Sequence, residues 1–447
     1  MTRTLTFLLA LALAGCGAAP PPGAIVARVS CQAETPCPYQ APYCVAGACE
    51  PCSADSSLCQ GETPFCLGAE AGEDAGRCGA CRTHMDCGVT GYCWHARCLP
   101  PCKKSSECPS KACVRSDDDE RGGCAPPEET ILVDDTQAFQ SVLFQVSASE
   151  KARAEAVAQY APTLPPPVRV VRLLPNERVY PTGVILSSVT IVGDDDPTTT
   201  KIGGDRQRDG IRIDYLTNPS DVRLQRLTIW RTDGGIVCRG SARLARVSLV
   251  RVQVVSTLGM ALDLAGCDLT MERSAVQDSF GGALSIVAPA TFAIENSIFA
   301  DSSNKNGPML SFGGADGTVR FSSIINNLSS VRRVMSCGWG AVSLEQTLIL
   351  RSQPPKLPPD EQDPLVGPCT LADVVIDVPS QNPGALLGSP DLVDPRPFGD
   401  FGNYRPVQSP KTLSCCLRTT TPGPSHDFVG TPRSYPLATI GAYEVVR

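Results

Sequence analysis

The sequence predicts a mainly β protein: a right-handed parallel β-helix of about eight to nine coils, preceded by a disulfide-rich region of small repeats. Three observations predict it. First, one phrase (apolar–x–apolar–x–x–apolar or small–x–apolar) recurs with starts at Val184, Val222, Val247, Leu269, Phe292, Val319, Val342 and Cys369. Its spacings are 38, 25, 22, 23, 27, 23 and 27 residues, the length of stacked units that cannot bury a core alone. Second, an apolar pair follows each phrase, as Ile211/Ile213, Ile236/Cys238, Leu262/Leu264, Leu284/Ile286, Leu310/Phe312 and Met335/Cys337. Third, 16 of the 23 cysteines fall between Cys31 and Cys124.

Within the phrase, apolar residues two apart belong to a strand with one buried face. In LTMERSAV and FAIENSIF the spacing then slips by one, which flips the inward side unless the chain bends. The residues at the slip are polar: Gln225/Arg226, Glu272/Arg273, Glu295/Asn296, Ser322/Ser323 and Glu345/Gln346. Each phrase therefore reads as two short strands around a tight polar corner. With the third strand, turned by glycines such as Gly234–Gly235 and Gly281–Gly282, this gives three strands per coil and coils about 4.8 Å apart.

An open stack exposes two sheet edges, which invite aggregation. Residues Ser149–Tyr160 have helix-forming composition. Ser147 or Ser149 is the expected cap and Pro162 the stop. Val168–Tyr180 reads as a first, imperfect coil, and 378–447, rich in Pro and Gly, as an irregular cap. The expected organisation is a leader (1–15), a tether (16–30), cysteine-rich repeats (31–124), a linker with capping helix (125–167), the β-helix (168–377) and the cap (378–447).

The N-terminus, MTRTLTFLLALALAGC, has one Arg and an apolar run from Leu5 to Leu13, too short to span a bilayer. Leu13-Ala14-Gly15-Cys16 resembles the lipobox of bacterial lipoproteins. The resemblance implies cleavage before Cys16 and lipidation of its thiol. Gly17, rather than Asp, resembles a signal for the outer membrane of a Gram-negative bacterium. The lipid is then the expected membrane anchor, since no later segment is apolar enough to span.

The sixteen cysteines form four blocks: Cys31/Cys37/Cys44/Cys49, Cys52/Cys59/Cys66/Cys78, Cys81/Cys87/Cys93/Cys98 and Cys102/Cys108/Cys113/Cys124. In an exported chain such blocks read as disulfides, because segments so short bury too little core. Cys49-Glu-Pro-Cys52 and Cys78-Gly-Ala-Cys81 have zinc-ribbon spacing. An oxidising compartment argues against metal there, so no metal or cofactor is expected. The acidic run Asp117–Glu120 reads as solvated rather than as a calcium site. The blocks resemble Dickkopf-type and EGF-like short cysteine-rich repeats. That resemblance favours first-to-third and second-to-fourth bridges, among the three pairings each block allows.

Of the remaining cysteines, Cys238, Cys337 and Cys369 take inward positions, where buried, unreactive thiols are expected. Cys267 lies near a corner. Cys415 and Cys416 are adjacent, with Cys369 a candidate partner for one of them.

A net charge of −7 without a basic cluster argues against nucleic acid. None of the three histidines (His84, His95, His426) sits beside a candidate nucleophile. One register carries the only catalytic candidate: Arg231, Ser256, Asp278, Asp301, Leu328 and Arg351 recur at one position per coil. Asp278 and Asp301 should stack, and two carboxylates about 5 Å apart can share a proton, hold a cation or serve a glycosidase. Asp is also common simply because it ends strands. Aromatics are 5 % of the chain, few for a sugar-stacking groove, and the basic residues and carboxylates of pectate lyases form no recognisable set.

Asp394-Pro395 through Phe398, Asn403-Tyr404-Arg405-Pro406, Ser409-Pro410, Gly430-Thr431-Pro432-Arg433 and Ile440-Gly441-Ala442-Tyr443-Glu444 follow in order. This resembles the closing region of bacterial surface β-helix proteins of the choice-of-anchor Q type. Thr439 stands where that family has Asp, and Lys411-Thr412-Leu413 replaces its Ala-Ile-Asp. The resemblance implies an exported surface protein and no defined reaction. The leading expectation is an outer-membrane lipoprotein of structural, adhesive or binding type, its cysteine-rich blocks a stiff spacer. The alternatives are a polysaccharide lyase or glycoside hydrolase, and a non-catalytic carbohydrate-binding module. Polysaccharide or a surface protein is the expected partner.

Overall fold

A computed structural model describes residues 43–443 apart from 46–47, 53–58, 61–62, 68–76, 89–90, 116–121, 137, 160–163, 215–219, 241–244, 305–306, 327–332, 352–362, 378–384, 389–391, 395–402, 407–417, 420–423, 430 and 434–437. The leader, the tether with Cys16, Cys31, Cys37, Asp117–Glu120, Leu328, Cys415 and Cys416 lie outside the described residues.

The chain winds as a parallel β-solenoid whose three sheets hold ten, nine and eight strands. Along each coil it passes from sheet A (Ser220–Gln225, for example) to sheet B (Thr228–Trp230) to sheet C (Ile236–Arg239). Seven coils carry all three strands, with partial coils at both ends. All six expected third-strand pairs lie in sheet C, where Ile211, Ile236, Leu262, Leu284, Leu310 and Met335 form one column. Inward columns of Ile, Leu, Val and Phe merge into one continuous core.

Two of the eight expected phrase starts are displaced. The sheet A column runs Val189, Val222, Val247, Leu269, Phe292, Gly317, Val342, Cys369. Val184 belongs to sheet C, because in that coil the corner after Val192 is drawn out through Asp194, Asp195 and Asp196. Val319 is two residues late. Gly317 holds the column position because Phe292 fills the space: a Cβ on Gly317 would lie 2.7 Å from the Phe292 ring. Phe292 in turn stacks on Phe312 across the interior at 4.4 Å.

The polar corners have a specific geometry. One non-glycine residue per coil turns from sheet A to sheet B with positive φ: Arg226, Arg251, Arg273, Asn296, Phe321, Gln346 and Asp373. The corner expected at Ser322/Ser323 is therefore Arg320-Phe321, since Arg320 pairs with Glu295 and Glu345. The residue after it is a buried hydroxyl in four successive coils, Ser274, Ser297, Ser322 and Thr347. Each hydroxyl donates to the carbonyl two residues back, at 2.8–2.9 Å. The first three also accept the N–H of the coil before, at 3.0–3.4 Å. Buried polar groups persist only when paired in this way.

The N-terminal plug is a helix, Phe139–Ala158. It begins well before Ser149, so Ser147 and Ser149 are interior residues and not caps. Phe139, Val142, Leu143 and Val146, at helical spacing, enter the core. Gln140 and Glu150 side chains accept the N–H groups of Val184 and Ser188, both at 3.0 Å. The open end is thus closed by apolar cover and by acceptors for the exposed donors. Sheet A starts earlier than residue 168: Thr130–Val133 pairs in parallel with Val170–Leu173.

In blocks two to four the first cysteine bonds the third and the second bonds the fourth: Cys52–Cys66, Cys59–Cys78, Cys81–Cys93, Cys87–Cys98, Cys102–Cys113 and Cys108–Cys124. Of block one, the backbone at Cys44 and Cys49 is described, paired as neighbouring strands. Cys238, Cys267, Cys337 and Cys369 are not free thiols. Cys238–Cys267 and Cys337–Cys369 are disulfides with Cα atoms 6.4 and 5.6 Å apart. Leu264 stacks on Cys238 and Cys267 follows it by three residues, so this bond joins one coil to the next at the sheet C to sheet A corner. Cys337–Cys369 repeats the arrangement.

Blocks three and four do not project as a stalk. Tyr92, Trp94, Leu99, Ala112, Val114 and Ala125 pack on Val170 and Val192 of sheet A. Arg226, fully buried, is ion-paired to Asp195 and donates to Ser105 Oγ and to the Cys113 carbonyl. Gln225 pairs both backbone groups of Arg115. The C-terminal segment also lies on a flank. Ile440, Ala442 and Tyr443 cover the outer face of sheet B at Ala275, Ile298, Ala300, Ile325, Leu348, Leu350 and Val375. Among the described residues of that segment, Ala385–Leu387 extends the stack as a further sheet B strand.

Candidate functional site

The candidate register lies at the corner from sheet B to sheet C. Sheet B pairs Gln277 with Ala300 and Ala300 with Ile325. The next residues, Asp278, Asp301 and Asn326, therefore occupy one position on three successive coils. Asn326, not Leu328, is the fifth member, for the same reason that Val319 was displaced. Arg231, Ser256, Asp278 and Asp301 all have positive φ, from 46° to 59°. Asp tolerates that conformation better than most residues, which gives the aspartates a structural role at this corner.

Asp301 is completely buried and Asp278 is 9 % exposed. Asp278 Oδ2 accepts a hydrogen bond from Ser256 Oγ at 2.8 Å. Burial raises the Asp278 carboxyl above its ordinary value, opposed by that hydrogen bond and by the charge of Arg206. A substrate held outside the corner reaches Asp278 at most by an edge, and Asp301 not at all. The arrangement lacks the open carboxylate pair that glycoside cleavage requires.

The rim of the same corner offers contact instead. Phe280 N–H donates to the Thr257 carbonyl and Leu258 N–H to the Thr232 carbonyl, so Leu258 and Phe280 occupy one rim position on adjacent coils. They are 41 % and 51 % exposed. Nearby on sheet B, Trp230 carries the Arg231 guanidinium 4.3 Å above its ring and the Lys201 ammonium at 5.4 Å. Sequence reading missed this rim because single apolar residues in a turn carry no periodic signal.

Cys52, Cys78 and Cys81, from the zinc-like spacings, are all in disulfides, so those sulfurs do not supply thiolates. Among the described residues no helix is long and apolar enough to cross a membrane. Comparison with protein-family models, with curated proteins and with solved structures found no match.

Proposed function

We propose that the chain is an exported, lipid-anchored protein of the outer membrane, whose solenoid is a rigid binding or structural surface rather than a catalyst. One observation carries this reading: eight disulfides among the described residues, two of them joining solenoid coils. Such a set persists in an oxidising compartment, in keeping with the leader and lipobox ending at Cys16. The burial of Asp301 supports binding over turnover. Ile440-Gly441-Ala442-Tyr443 lies against sheet B, where Gly441 has φ 98° and donates its N–H to the Gln346 carbonyl at a sheet corner. The motif thus serves as a strap closing the outer face of sheet B.

Globomycin should leave an uncleaved precursor, and Cys16→Ser should move the protein out of the membrane fraction. A Cys16→Ser protein that still sediments with membranes refutes the anchor.

A non-catalytic carbohydrate-binding role is the second reading, favoured by the exposed Leu258 and Phe280 beside Asp278. A glycan array tests it, with Phe280→Ala expected to abolish any binding seen. If the protein instead releases reducing ends or unsaturated products, and Asp278→Asn stops this, a lyase or hydrolase is the better description.

A further inference from the structure

The three corners of the solenoid differ in chemistry. The corner from sheet A to sheet B carries Arg251, Arg273, Asn296 and Gln346, and that from sheet B to sheet C carries Arg231, Ser256, Asp278 and Asp301. The corner from sheet C to sheet A runs through 287–290, 313–315, 338–341 and 367–368 on four successive coils. Each of these segments is described in full. Apart from glycine they contain Val, Ala, Pro and Trp, and the indole N–H of Trp339 is their one polar side-chain group.

This strip is exposed where its side chains are largest. Trp339 is 99 % exposed and Val287 43 %, and Ala288, Pro289 and Pro368 are exposed with them. Cys337–Cys369 fastens the coil that bears Trp339 to the next. Backbone groups beneath the strip pair from coil to coil: Ala288 N–H donates to the Gly313 carbonyl, Asp316 N–H to Ala290 and Gly317 N–H to Ala341. Pro289 and Pro368 have no N–H to satisfy. A small ligand needs a concave site with a few placed polar groups, and an outward corner with apolar side chains offers neither. An apolar projection over paired backbone suits a lipid surface instead. Unpaired polar groups are costly there, and Trp collects at the headgroup level.

We propose that the strip centred on Trp339 rests on the headgroup layer of a phospholipid leaflet, with the indole inserted and the solenoid lying along the membrane. The membrane is the one that the lipid-anchored reading supplies. One Trp and a few small residues bury too little apolar area to hold the protein alone. The strip therefore orients a chain that its anchor already keeps at high local concentration, and a Cys16→Ser protein still leaves the membrane fraction. Asp316, exposed at the edge of the strip, accepts the Ala341 N–H at 2.8 Å. Its charge favours zwitterionic over anionic lipid.

The test separates contact from anchoring. Residues 17–447 with an N-terminal histidine tag are tethered to phosphatidylcholine vesicles through a nickel-chelating lipid, so the result does not depend on what Cys16 carries. Acyl chains brominated near the headgroup should quench tryptophan emission, equally at low and high salt. Trp339→Ser should abolish the quenching while Trp94 and Trp230 still emit. Trp339 is exposed on all sides, so this variant should fold with the disulfide map unchanged. No quenching in the unmodified protein, or equal quenching in Trp339→Ser, overturns the proposal. So does a blue shift of Trp339 emission with rising protein concentration and no vesicles, which would give the strip to a second copy of the chain.

Discussion

Module three and the middle of the solenoid hold themselves together by different means. In module three, Cys81–Cys93 and Cys87–Cys98 close loops with separations of 12 and 11 residues. Tyr92, Trp94 and Leu99 are its buried apolar side chains, and they are completed by module four and by Val170 and Val192 of the solenoid. In the solenoid, Val276, Phe299, Ile324 and Ile349 stack coil on coil at full burial. Each coil there is closed by its two neighbours and needs no covalent bond. The difference shows where crosslinks matter: in modules too small for a core, and at the single corner where Cys238–Cys267 and Cys337–Cys369 fasten one coil to the next. It also makes the modules dependent on the solenoid flank, through Arg226 and Gln225 as well as through the apolar patch.

Four changes sharpen this contrast. Phe299→Ala empties a fully buried site and should cost about 3–5 kcal/mol in chemical denaturation, while the module disulfides stay intact by peptide mapping. Replacing Cys238 and Cys267 together by Ala removes a crosslink of separation 29, worth about 3.5 kcal/mol on chain-entropy grounds. Hydrogen exchange should rise first near that corner. Ser297→Ala leaves the buried Ser274 N–H without its acceptor and should cost about 1–3 kcal/mol.

The smallest effect concerns pH. Burial first of all pushes the Asp377 carboxyl up to about 6, against hydrogen bonds and Arg351, which lower it. Its folded value lies above its unfolded one, so its contribution is full below about pH 4 and is lost as pH rises through 6. The loss should be about 1 kcal/mol after allowance for partial exposure, and Asp377→Asn should flatten that slope. An unchanged slope in the variant would assign the pH dependence elsewhere.

The strand columns were legible because burial on one face imposes a period of two, and the sheet C pairs held in every coil named. The register failed where one residue broke the apolar column: Gly317 yields its space to Phe292, a contact between coils that a linear pattern cannot show. The helix start was missed although Phe139, Val142, Leu143 and Val146 carry the spacing, because the Ala- and Glu-rich stretch after Ser149 has the stronger propensity. Tertiary packing against Tyr180 and Gly183 decided it. Serine at 274, 297 and 322 looked merely polar, since only the stacked coils reveal that each hydroxyl serves the backbone of its neighbour. Cys267 seemed apart from Cys238 because a pairing across one coil joins residues remote in sequence. At the candidate register, the stacking of Asp278 over Asp301 was legible and their burial was not. Exposure at a corner depends on what the adjoining turns cover.

Non-reducing peptide mapping of protein purified from its cells, alkylated before digestion, tests the disulfide-locked, exported solenoid most directly. The expected result is Cys238 linked to Cys267 and Cys337 linked to Cys369, with first-to-third and second-to-fourth bridges in modules two to four. Alkylated free thiols at Cys238 and Cys267, or bridges running between modules, would contradict it.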